Sequence, residues 1–108
     1  MNYKIENWGF QNYNEFMARM VLRMVVSFEG HVQGVGFRMQ TLRVSRGFEV
    51  AGTVQNQLDG SVQLIVEGVP SEVRAFVDEV CAEMHSFIKK VSKAETTVPA
   101  TLHDFKII

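Results

Sequence analysis

The sequence predicts an α+β fold of β-α-β-β-α-β order, with two helices on one face of an antiparallel sheet. Three observations carry this expectation. Apolar residues alternate or cluster in short β-prone segments, they recur at helical spacing in two others, and an Asp59-Gly60 turn joins two of the strand segments directly. The chain has 108 residues, the size of one domain, and such a domain buries roughly 65% of the surface its unfolded chain exposes. That is enough for an ordinary core without metal or disulfide staples.

Taken in order, residues 1–20 stand apart. They are rich in Asn and aromatics and sustain neither period, so they read as an N-terminal extension before a domain spanning 21–108. Met17, Met20 and Met24 are spaced roughly as on a helix, but Met24 belongs to the first strand; packing or alternative starts explain the series. Leu22–Phe28 is the first strand. A Gly-rich stretch follows, and then Phe37, Thr41, Val44 and Phe48 mark a helix from 37 to 48. Val50–Asn56 is the second strand. Val62, Leu64 and Val66 alternate with Gln63, Ile65 and Glu67 in the third, which has one face more buried than the other. Beyond Pro70, residues Val73, Phe76, Val77, Val80 and Met84 form one stripe of a second helix. Ser71 is its expected N-cap, and Glu72 suits its first turn. The β-branched tail, 88–98 and 101–108, supplies one or two further strands. The order matches the split βαβ, or ferredoxin-like, plan.

Composition excludes several functions. Eleven basic against twelve acidic residues leave a net charge of −1, which argues against holding nucleic acid by bulk electrostatics. The third strand carries no aromatics for stacking bases, as RNA-recognition sheets of this plan require. The single cysteine, Cys81, forms neither an internal disulfide nor a multi-cysteine metal site, and beside the helix stripe it reads as a structural thiol. No apolar run approaches the ~20 residues of a membrane span, and the first 20 residues are too polar for a signal peptide. Asp78, Glu79 and Glu83 look like the solvated face of the second helix. His85 and His103 have no partner visible in the sequence. A cytoplasmic, monomeric domain without cofactor or metal is expected.

The chemically informative segment is Glu29–Arg38, EGHVQGVGFR. Gly30, Gly34 and Gly36, placed between a strand and a helix, let successive N–H groups point into one concavity at a helix N-terminus, which suits an anion. Arg38 in the first helical turn leans back over that concavity, and its planar fork fits phosphate oxygens. Physics alone leaves two readings open: a phosphate-sized cradle, or a Gly-rich connection with a solvated arginine.

GHVQGVGFR resembles the signature of the acylphosphatase family at every fixed position. Gly52-Thr-Val-Gln-Asn56 followed by Asp59-Gly60 resembles the family's second signature, and Asn56 follows Arg38 at the family's separation. The resemblance covers residues 21–108. It implies hydrolysis of a small-molecule acyl phosphate to a carboxylate and inorganic phosphate. In that case Arg38 and the backbone N–H groups of His31, Val32, Gln33, Gly34, Val35 and Gly36 hold the phosphoryl group, and Asn56 orients the attacking water. No metal, cofactor, nucleic acid or membrane is implied. His31 stands at a position the family leaves variable, so it is expected to contribute its backbone alone.

The sequence departs from the family pattern at Thr53 and Gln55, where Trp and Arg are common, at Glu49, and in Phe105–Ile108, which lacks the usual aromatic. These departures are expected to bear on substrate preference and stability. The alternative is a non-catalytic relative that binds a phosphate-bearing ligand or a partner. The same cradle also forms one domain of much larger carbamoyl-transferring proteins, for whose other parts 108 residues leave no room.

Overall fold

The computed structural model describes residues 11–108. Within them a short helix α1 (Tyr13–Ala18) precedes β1 (Met20–Gly30), α2 (Phe37–Ser45), β2 (Val50–Asn56), β3 (Val62–Gly68), α3 (Pro70–Glu83), a 3-10 turn (His85–Phe87), β4 (Ile88–Pro99) and β5 (Phe105–Ile107). The sheet order is β4-β1-β3-β2-β5. The first four strands are antiparallel neighbours, and β5 adds to the edge of β2 in parallel. The β-α-β-β-α-β core is therefore as expected, with a short parallel edge strand added.

One face of the sheet makes the core. Leu22, Met24, Val26 and Phe28 of β1, Val54 of β2, and Val62, Leu64 and Val66 of β3 are buried, together with Val73, Phe76, Val77 and Val80 of α3. Period two in the strands and the i, i+3, i+4, i+7 stripe in α3 thus meet in one layer. The Phe28 and Phe37 rings lie 4.8 Å apart, which pins the first residue of α2 to β1.

Several boundaries differ from the sequence reading. Strand β1 starts at Met20, inside the stretch read as an extension, and residues 13–18 form a helix capped by the Asn12 side chain. The rest of that extension, 1–10, lies outside the described residues. Helix α2 ends at Ser45 rather than 48, because Gly47 and Phe48 turn back to the carbonyls of Val44 and Ser45. Ser71 is not the N-cap of α3. Val69 holds that place and Pro70 opens the helix, since a proline's missing N–H and fixed φ suit the first helical position. The Glu72 carboxylate accepts the Glu49 amide (2.9 Å), tying the α2–β2 link to α3.

Candidate active site

The loop between β1 and α2 starts at a point that admits only glycine. Gly30 has φ +135°, and a Cβ there would stand 2.5 Å from the Phe87 carbonyl oxygen. His31 then donates its amide to that same carbonyl (2.9 Å). From this anchor the chain turns through Gly34 and Gly36, at φ +78° and +80°, a region that L side chains rarely adopt. Added Cβ atoms at these two positions would meet nothing within 4 Å. Glycine is needed there for backbone conformation, and its bareness leaves the loop's concave side open.

The hydrogen-bond pattern of the loop is its main feature. Among the described residues, no backbone amide from Val32 to Met39 donates to a backbone carbonyl; the pattern resumes when Gln40 donates to Gly36 (3.0 Å). Gly36 caps α2 without a side-chain hydrogen bond, so the amides of the first helical turn keep their donors. A run of unspent N–H groups ending at a helix N-terminus is a concentration of partial positive charge.

The loop is held by Gln33, whose side-chain amide donates to the carbonyls of Gln57 (2.8 Å) and Ser61 (3.0 Å). These two residues close the β2–β3 turn, in which Gln57 donates to the Ser61 carbonyl and Asp59 accepts from both the amide and the hydroxyl of Ser61. Those bonds, the Ser61 hydroxyl first, hold the exposed Asp59 carboxyl below its ordinary range. Gln33 therefore fixes the loop to the turn that follows Asn56.

Loop and strand meet in a cavity of about 190 Å³ lined by Val32, Gly34, Gly36, Phe37, Arg38, Met39, Asn56 and Ile107. Arg38 and Asn56, separate in sequence, share this cavity. Arg38 is half-buried and forms no ion pair or hydrogen bond with a described residue. The Asn56 side chain likewise makes none with a described residue, and no buried side-chain N or O among the described residues lacks a partner, so its polar atoms are open to solvent. The arrangement offers a fixed positive charge, a set of amide donors and a carboxamide around a phosphate-sized space.

Five of the eight residues named from the sequence line this cavity: Arg38, Asn56, Val32, Gly34 and Gly36. Three do not. The His31 amide is committed to Phe87, Gln33 acts as a tether, and the half-buried Val35 packs against the core. Of the loop amides named from the sequence, that of His31 is thus paired within the protein, and those from Val32 to Gly36 donate to no backbone carbonyl of a described residue. Phe37 and Met39 join the lining, and their place beside Arg38 in the first helical turn was the available signal. Ile107 also joins it, carried in by β5, whose parallel pairing no local pattern announces. Thr53 and Gln55 line no part of the cavity: strand alternation puts them on the face opposite Val54 and Asn56. Among the described residues, no group of three or more His, Cys, Asp or Glu is placed to hold a metal ion.

A family model described as Acylphosphatase matches residues 24–107. The chain is 39% identical over 82 residues to an acylphosphatase of Thermotoga maritima, covering 76% of this chain and 91% of that one. It superposes on the crystal structure of acylphosphatase from Bacillus subtilis with a TM-score of 0.72 at 28% identity, over 81% of this chain and 98% of the other. It also superposes on full-length HypF in a phosphate- and nucleotide-bound form, TM-score 0.66 and 27% identity, over 82% of this chain and 12% of that protein. With the match running from β1 to β5 and including both the glycine loop and the strand that ends in Asn56, the chain belongs to the acylphosphatase family.

Proposed function

We propose that the cavity between the β1–α2 loop and the end of β2 hydrolyses acyl phosphates to a carboxylate and inorganic phosphate. Membership of the family makes the chain a hydrolase acting on acyl phosphates. The observation that carries the site assignment is the run of amides from Val32 to Met39 without acceptors among the described residues, in a loop that lines the same cavity as Arg38 and Asn56. The substrate's phosphoryl oxygens take hydrogen bonds from these amides and from the Arg38 guanidinium, which replaces their water with donors already in place.

Asn56 accepts a hydrogen bond from the attacking water and so directs its oxygen at phosphorus. The new P–O bond forms as the bond from phosphorus to the acyl oxygen breaks, and the carboxylate leaves with that electron pair. The water's proton passes to a phosphoryl oxygen. A carboxylate is a good leaving group, so positioning and charge stabilisation supply most of what this reaction needs, and no strong general base is required. His31, at the start of the loop, is exposed and takes no part in this reading.

The amide cradle is tested by titrating the ¹⁵N-labelled protein with inorganic phosphate. The expected result is amide shift changes concentrated between residues 32 and 39 and absent in Arg38→Ala at the same phosphate concentration. Changes spread over β4 or α1, with 32–39 unmoved, would contradict the assignment.

A further inference from the structure

The anion cavity does not stand alone. A second, wider groove of about 440 Å³ adjoins it, and Gly36 and Met39 are walls of both. The groove runs between α2 and the end of α3, over Val35, Met39, Met84 and Phe87, with Arg43 and Glu83 at its rim. Met39 is 46% exposed although flanked by apolar neighbours. Gln40 donates to the Glu83 carboxylate across the two helices (3.1 Å), which ties the groove's sides together.

The geometry points to this groove as the seat of the substrate's acyl group, with an apolar body of several carbons or an aromatic ring as the class it favours. The inference rests on the cavity's role as the phosphoryl site. In an acyl phosphate the acyl carbon is joined to phosphorus through a single oxygen, so the acyl group lies immediately beside the phosphoryl site. In-line displacement puts the leaving oxygen opposite the attacking water. Asn56, which holds that water, lines the cavity and not the groove, while Gly36 and Met39 border both spaces. Methionine side chains adapt to varied apolar shapes, and Met39 with Met84 gives the groove two of them. Arg43 and Glu83 carry opposite charges at the rim, so a charged chain gains no net attraction there, whereas an apolar chain gains by leaving water.

The test compares kcat/KM for hexanoyl phosphate and acetyl phosphate in the wild type, in Met39→Gln and in Val35→Thr, both near-isosteric polar replacements. Hexanoyl phosphate has four more methylenes, and their partial burial predicts a wild-type preference of about tenfold or more. Each substitution is expected to cut that preference at least threefold. Because the readout is a ratio, any shared effect on phosphoryl chemistry cancels. A wild-type ratio near one, or a ratio unmoved in both variants, would overturn the groove assignment while leaving the hydrolase reading intact. Failure to hydrolyse either compound would remove the phosphoryl site itself, and the groove assignment with it.

Discussion

Arg38 differs from Arg19, Arg23 and Arg74 in what surrounds it. Those three are each held by a carboxylate, of Glu15, Glu67 and Glu95, and the cost of fixing their side chains is met by an ion pair. Arg38 is half-buried beside a curved run of amide donors and has no ion pair with a described residue. A positive charge so placed favours an incoming anion and leaves Arg38 with little structural duty. Gln33 has the opposite character. Its side chain spends both donors on carbonyls of the β2–β3 turn, so Gln33→Ala is expected to loosen the loop without touching the ligand. Two lost hydrogen bonds of about 1 kcal/mol each predict a stability loss near 2 kcal/mol in urea unfolding. A several-fold weaker inhibition by inorganic phosphate should accompany it. Unchanged inhibition would show that the loop holds its shape without the tether.

At the scale of the elements, β5 explains how a three-residue strand comes to shape the site. Phe105 seats its ring against Gly52, where a Cβ would run into the Ile65 carbonyl and stand 2.9 Å from that ring. The Ile108 amide bonds the Val54 carbonyl (3.0 Å), and Ile107 reaches the cavity. The segment leading into β5 is clamped from the open face of the sheet by Glu67. This carboxylate is only 2% exposed and accepts from the Thr101 and Leu102 amides, the Thr101 hydroxyl and Arg23. Burial pushes its pKa up, but the Thr101 amide, Arg23 and the remaining donors outweigh that and hold it below the ordinary carboxylate range. A pKa lower in the folded than in the unfolded state stabilises the fold above the ordinary range. The contribution is lost as pH falls through the lowered value. Replacing Glu67 by Gln is therefore expected to lower stability at neutral pH and to flatten its decline on acidification, measured by urea midpoints from pH 7 to 3. An equally steep acid limb in the variant would assign that decline to other groups.

Much of this architecture was legible in the sequence, and the particular gaps have physical causes. Strand β2 was delimited as Val50–Asn56 because alternation and a turn signal agree there. The second helix was visible from its stripe. Its start is less legible, because Ser71 offers a capping side chain while the helix opens on Pro70, which needs no cap. Strand β5 could be foreseen only as a β-prone tail, since its parallel partner lies some 50 residues away and pairing is a tertiary fact. In the candidate site, the glycine loop, Arg38 and Asn56 stand out in the sequence because they lie in motifs that resemble the family's signatures, and the structure places all three at one cavity. The His31 bond to Phe87, the Gln33 tether and the entry of Ile107 were not, as each depends on where a distant segment lands.

At the scale of the whole molecule, one apolar layer between the sheet and α2 and α3 supplies a rigid base, and the candidate site lies at the end of that layer where residues of the β1–α2 loop, α2, β2 and β5 line one cavity. Rings at Phe48, Phe76 and Phe105 (5.9 and 5.5 Å between successive centroids) continue the layer from α3 toward β5. The site is thus built from parts brought together only by the complete fold, with the sheet holding Asn56 and the helix start holding Arg38. The central claim is that these two residues divide the work, Arg38 binding the phosphoryl group and Asn56 placing the water. The most direct measurement is benzoyl phosphate hydrolysis, with a chelator present, by wild type, Arg38→Ala and Asn56→Ala. Expected are chelator-insensitive turnover in the wild type, loss of most activity and of phosphate inhibition in Arg38→Ala, and in Asn56→Ala a kcat at least about 100-fold lower (some 2.7 kcal/mol) with phosphate inhibition retained. Turnover in Arg38→Ala comparable to wild type, or loss of phosphate inhibition in Asn56→Ala, would contradict that division.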